Sequence, residues 1–120
     1  MAGEPIEGQI LLLTAAKASI TPTQLPDLVD VAQKRLAADH ERYRREYERL
    51  YESDGLEAFA VETGHWATLG TELGMSDRER SAVERAHEEQ LLRIGRRTDR
   101  EDEFETALEI REPVLIGTGE

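Results

Sequence analysis

The stretch Glu48–Glu62, ERLYESDGLEAFAVE, decides the fold class of this chain. Most of the sequence carries helical spacing, and this segment departs from it. Phe59 and Val61 alternate with Ala58, Ala60 and Glu62, which is the two-residue period of a strand. Ser53-Asp54-Gly55 is a turn signal between two stretches that can pair. The reading is a β-hairpin with Asp54-Gly55 at its tip.

Outward from the hairpin, TALEIREPVLIG near the C-terminus supplies a partner strand. Leu108, Ile110, Val114 and Ile116 alternate with polar residues, predicting a strand over Ala107–Ile116. Pro113 limits it to an edge or a bulge.

The rest reads as helix. Pro5–Ala18 has Ile6, Ile10, Leu13 and Lys17 on one stripe, widened by Leu11, Leu12 and Ala15, so a helix buried on more than one side is expected. A second helix begins at ITPTQLP. With Thr23 as its cap, Pro26 falls among the free N–H groups of the first turn and costs little. Leu25, Leu28, Val29, Ala32, Leu36, Tyr43 and Tyr47 then keep helical spacing. His65–Leu73 is a short helix ended by Gly74. Ser76-Asp-Arg-Glu79 is a capping box that opens a long helix to about Arg97, and Thr98-Asp-Arg-Glu101 caps one more turn.

The fold class is therefore α+β: one globular domain over residues 1–120, with several helices packed on a small antiparallel sheet made of the hairpin and the C-terminal strand. The ends, at about 1–4 and 117–120, are expected to fray. The expected core comprises Ile10, Leu13, Leu28, Ala32, Phe59, Val61, Trp66, Leu69, Val83, Leu91, Ile94, Leu108 and Ile110.

Composition constrains function more than any motif does. The net charge is −11, from 26 carboxylates against 15 basic residues, of which only Lys17 and Lys34 are lysine. This balance suggests adaptation to molar intracellular salt, where a Debye length of about 3 Å screens carboxylate repulsion. With no cysteine, disulfides, thiolate catalysis and Cys-ligated metals are excluded. The most apolar run, Ile10–Ala16, is too short to span a bilayer, and Glu4 and Glu7 precede it where a signal peptide would be basic. A cytoplasmic protein without a membrane partner is expected.

Leu69–Gln90, LGTELGMSDRERSAVERAHEEQ, has the layout of a helix-turn-helix DNA reader. Gly74 aligns with the turn glycine, Gly70 stands four residues earlier where the helices approach, and Leu69, Leu73, Met75 and Val83 fall at core positions. Arg80 departs from the pattern, because it occupies an inward position. Between Ser76 and Gln90 five acids outnumber three arginines, and phosphate neutralisation supplies most nonspecific affinity for DNA. A nucleic-acid partner is thus compatible with the segment but disfavoured. Its candidate contacts are Arg78, Arg85, Arg93, Arg96 and Arg97.

Two Glu-x-x-His pairs, Glu62/His65 and Glu84/His87, are the spacing by which helical bundles hold two metals. Gly64 breaks the first pair. His87 lies on the apolar stripe Val83, His87, Leu91, Ile94 and reads as a packed, hydrogen-bonded histidine. No metal, cofactor or catalytic residue is expected: there is no nucleophile elbow and no phosphate-cradling glycine loop. Trp66, the only tryptophan, reads first as a core anchor and otherwise as an aromatic contact for a protein partner.

PIEGQILLLTAAKAS, YRREYE, RAHEEQLLRIGR and EFETALEI together resemble a family of small acidic uncharacterised proteins of halophilic archaea. The resemblance spans nearly the whole chain. It implies a halophile and a single domain, and it carries no assigned function and no catalytic residues. The expected function is a non-catalytic cytoplasmic protein-binding or regulatory module, using the surface near Trp66 or an open sheet edge. A homodimer through that edge is compatible with so small a sheet. The alternative is a helix-turn-helix-like DNA-binding regulator using residues 65–97.

Overall fold

The hairpin forms where the two-residue period predicts it. In the computed structural model, which describes residues 5–118, β1 (Glu48–Ser53) and β2 (Leu56–Val61) pair antiparallel around Asp54-Gly55. Gly55 takes φ 86°, a conformation that residues with a Cβ rarely adopt. β3 (Glu112–Gly117) pairs antiparallel with β2, giving the order β1-β2-β3. The central strand is buried on both faces from Glu57 to Val61. Its alternation is therefore large against small, Phe59 and Val61 against Ala58 and Ala60, rather than apolar against polar.

Helices α1 (Gly8–Ala18), α2 (Gln24–Ala38), α3 (His40–Glu46), α4 (His65–Glu72), α5 (Asp77–Thr98) and α6 (Glu101–Leu108) complete the α+β domain around one hydrophobic cluster. α5 starts at the expected capping box: Ser76 accepts from the Glu79 N–H at 3.1 Å and the Glu79 carboxylate accepts from the Ser76 N–H at 2.8 Å. α2 starts at Gln24 as expected. Its side-chain cap, however, is Thr21, whose hydroxyl accepts the Gln24 N–H at 3.1 Å.

Two expectations about the core fail for reasons of helix phase. The closing strand begins at Glu112 rather than Ala107, because Leu108 sits one turn after buried Phe104 and completes α6. Ile110 then falls in the connection and is 69% exposed. In α1 the buried stripe is Ile10, Thr14 and Ala15, with Leu11 and Ala18 half-buried. Leu13 lies on the opposite side and is 52% exposed. Leu28 and Leu108 are half-buried, and the other expected core residues are buried. Gly117 ends β3, and the Thr118 N–H donates to the Gly55 carbonyl at 2.9 Å. Residues 1–4, 119 and 120 lie outside the described residues.

Candidate functional site

Trp66 is fully buried, and this corrects its reading as a partner contact. Its indole N–H donates to the Pro113 carbonyl at 2.8 Å. The α4 start that carries it is held by Glu112, whose carboxylate accepts from the Gly64 N–H at 2.8 Å and the Trp66 N–H at 2.9 Å. A carboxylate from the sheet thus fills the capping role at the positive end of the helix.

The same network closes the outer edge of β3. The Leu115 N–H donates to His87 Nδ1 at 3.0 Å. Gln33 takes the next two groups, donating to the Leu115 carbonyl at 2.7 Å and accepting the Gly117 N–H at 3.0 Å. Pro113 has no N–H to offer. Every outward backbone group of residues 113, 115 and 117 named here therefore meets a side chain instead of another strand. The other edge, β1, carries a bulge at Leu50, and Arg100 donates to the Leu50 carbonyl at 2.9 Å. Bulges and charges of this kind protect edges from pairing.

His87 is fully buried against Trp66, ring centroids 4.6 Å apart. Accepting at Nδ1 places its proton on Nε2, which meets no hydrogen-bond partner. Burial pushes its pKa down to about 3, so it is neutral at ordinary pH. Glu84, three residues before it, pairs with Arg80 at 3.0 Å. The two Glu-x-x-His pairs do not converge, and no metal-binding cluster is found among the described residues.

The helix-turn-helix layout is present in its turn and absent in its charge. Gly74 takes φ 75°, and the Met75 N–H donates to the Gly70 carbonyl at 2.9 Å. The aliphatic stem of Arg80 lies where a Cβ on Gly70 would stand. Arg80 is half-buried and snorkels outward to Glu84, so the expected apolar position is filled by methylenes. Of the five candidate DNA contacts, Arg93 and Arg97 are held by Glu7, at 3.1 and 2.9 Å, and Arg96 by Glu101 at 3.1 Å. Glu7 takes Arg97, Gln90 and Arg93 together, which holds its pKa down at about 2. This cluster fastens the start of α1 to α5. Of the five, only Arg78 and Arg85 are without a carboxylate partner among the described residues.

Two surfaces that sequence reasoning missed stand out. The first is the outward face of α1, where Gly8, Gln9, Leu12, Leu13, Ala16 and Lys17 are all exposed. Leu12 is 57% exposed. The steps of one and four residues make this a continuous helical stripe with an apolar centre. The second is a groove of 460 Å³ at the end of that stripe, lined by Lys17 and Ala18 of α1 and by Asp77, Arg78, Arg80, Ser81 and Arg85 of α5. The signal for the first lay in ILLLTAA, whose apolar girth exceeds what one buried stripe needs. The signal for the second was distributed over 68 residues of sequence and became visible only when α1 met α5.

A second concavity, of 490 Å³, lies between α2–α3 and α4. Its floor is a hydrogen-bonded chain: Tyr43 O–H to His65 Nε2, and His65 Nδ1 to the Glu62 carboxylate at 3.2 Å. Tyr43 is 1% exposed, and burial pushes its pKa well above the usual phenol range. Arg35 on one wall is already bound by Asp39 and by Glu72 across the opening. Arg42 is bound by Asp39 as well. The chain holds the turn before α4 against α3, and its charges satisfy one another. A similar device lies on the sheet, where buried Glu57 takes Arg44 and His40 and is held down at about 2.

The family described as Domain of unknown function (DUF8048) matches residues 4–118. The chain belongs to this family. The match covers all of the elements above, so α1, with its exposed stripe, is part of the DUF8048 domain rather than an appendage to it. No curated protein and no solved structure matches the chain. No helix of the described residues is long and apolar enough to cross a membrane.

Proposed function

We propose that this chain is a non-catalytic protein-binding or regulatory module that docks its partner on the outward face of α1. The observation that carries the reading is the exposure of Leu12, Leu13 and Ala16 side by side on a surface otherwise rich in carboxylates. Exposed leucines gain by being covered, at roughly 25 cal/mol per Å² of apolar area removed from water. Trp66 is buried and the outer edge of β3 is satisfied by side chains, whereas Leu12 and Leu13 of α1 are 57% and 52% exposed.

The setting we propose is the cytoplasm of a halophilic archaeon, supported by 26 carboxylates and only two lysines. In molar salt the repulsion between two acidic proteins is screened within about 3 Å. Apolar contact then carries more of the recognition. The DNA-binding alternative keeps Arg78 and Arg85 of its five arginines and stands second.

The test is site-specific photocrosslinking in the native host from position 13, with exposed position 34 on α2 as the control. A discrete product from position 13, lost when Leu12 is replaced by Ser, supports the reading. A product of twice the chain's mass identifies the partner as a second copy. Absence of any product specific to position 13 in folded protein overturns it.

A further inference from the structure

The groove between the end of α1 and the start of α5 brings together three cations that have no carboxylate partner among the described residues. Nine of the thirteen arginines pair with a carboxylate within the described residues. Lys17, Arg78 and Arg85 do not, although acids outnumber bases by 26 to 15. All three line one groove. Arg78, Ser81 and Arg85 stand three and then four residues apart, so they share one face of α5, and Lys17 approaches from α1. Arg80 also lines the groove, but its guanidinium is neutralised by Glu84. The nearby acids are Asp77, inside the groove, and Glu88, one turn beyond Arg85.

We propose that this groove binds a phosphate group. Among the lining residues, the three unpaired cations outnumber the Asp77 carboxylate, giving the groove a positive charge opposite to the −1.5 to −2 of a phosphate monoester near neutral pH. Two guanidinium forks, an ammonium and the Ser81 hydroxyl are donors suited to an anion with several oxygens. With a Debye length of about 3 Å in molar salt, the charges lining the groove act on a bound anion while carboxylates farther away are screened. The group reaches the groove either on a small phosphorylated molecule or on a nucleic-acid backbone, which presents the same oxygens. This site begins where the apolar stripe ends, and it stands whether or not a protein docks on α1.

The experiment is an amide-resolved NMR titration of the full chain with inorganic phosphate, with pyrophosphate and with a short DNA duplex. Acetate at matched ionic strength is the control. Phosphate is expected to shift amides around residues 17–19 and 77–85 saturably, and pyrophosphate to do so at lower concentration. The combined Arg78→Gln and Arg85→Gln variant should weaken binding at least tenfold, while Arg111→Gln, at an exposed arginine elsewhere, leaves it unchanged. All three arginines are exposed, so the variants keep the fold. A duplex that competes with phosphate for the same amides assigns the group to nucleic acid, and binding of free phosphate alone assigns it to a small molecule. Equal shifts from acetate, no saturation by any phosphate, or binding indifferent to the double variant overturns the proposal.

Discussion

The outer edge of β3 and the outward face of α1 are both margins of the core, and the molecule treats them in opposite ways. At β3, Trp66, His87 and Gln33, from three different helices, supply a partner to each exposed-edge backbone group named above. At α1, Leu12 and Leu13 are exposed. The difference follows from what each margin would cost. An unpaired buried N–H or C=O costs about 1–3 kcal/mol, and an open edge invites another strand. A helix satisfies its own backbone, so its apolar side chains can stay exposed at a smaller cost. A face left uncovered on a helix is therefore one the fold can tolerate and a partner can use.

The sharpest way to break the sealed margin is Trp66→Ala. It removes the largest buried side chain and leaves the Pro113 carbonyl without its donor. A loss of about 3–5 kcal/mol is expected from the cavity alone. Urea unfolding, run at a salt concentration where the parent is fully folded, measures it. A loss under about 1 kcal/mol would mean that the Trp66 side of the edge is replaceable.

Acid tests the same margin through His87. Its folded pKa of about 3 lies below the ordinary 6.5, so the unfolded chain binds a proton that the folded chain refuses. The stability this represents is fully present above pH 6.5 and is lost as pH falls toward 3, at up to about 1.4 kcal/mol per pH unit. About 2–3 kcal/mol should go between pH 6.5 and 4.5. Glu57 and Glu7, held at about 2 against an ordinary 4.5, keep their contribution above 4.5 and lose it only as pH falls below that. Glu84 and Glu88 are pushed up by burial and act with the opposite sign, gaining protons in the folded state first. The comparison that isolates His87 is His87→Gln. An amide oxygen there can still accept from Leu115 but does not titrate. Stability measured against pH should lose its slope between 6.5 and 4.5 in that variant, and an unchanged slope would remove His87 from the account.

The hairpin, the capping box at Ser76 and the short helix ended by Gly74 were legible because each is written in neighbouring residues. The phase of α1 was not. ILLLTAA is apolar at nearly every position, so its pattern does not say which side faces in. The side that faces in is the one where Ile10 and Ala15 join the core, and Glu7 fastens the helix start to Arg93 and Arg97 far along the sequence. The start of β3 was misread for a related reason. Leu108, Ile110, Val114 and Ile116 alternate as a strand should, but Phe104 and Leu108 also stand four apart, and burial of Phe104 settled the matter for α6. Of the candidate contacts, Arg78 and Arg85 remained available, whereas Arg93, Arg96 and Arg97 were used by acids that the sequence pattern did not connect to them.

Where α4 packs on the start of α5, Gly70→Ala is expected to cost about 1–3 kcal/mol, as overpacking does. The added Cβ would collide with the Arg80 stem close to the α5 backbone, so the clash is not relieved by moving the guanidinium alone. In an Arg80→Ala background the same change should cost much less. A double-mutant cycle on unfolding free energies reads the coupling. Additive costs would show that Gly70 is kept small for another reason.

The smallest expected effect on stability is the one that bears most on function. Leu12→Ser with Leu13→Ser removes the apolar centre of α1 without touching the buried stripe Ile10, Thr14 and Ala15. Exposed substitutions away from caps and buried pairs stay within about 0.5 kcal/mol each. Binding of a hydrophobic dye, or self-association read by sedimentation as KCl is raised, should fall in the same variant. If both fall while unfolding is unchanged, the face is spare apolar surface that the core does not use. If stability drops by several kcal/mol instead, α1 is packed more tightly than its exposure indicates. The distinction between a margin sealed for stability and a margin left open for a partner would then disappear.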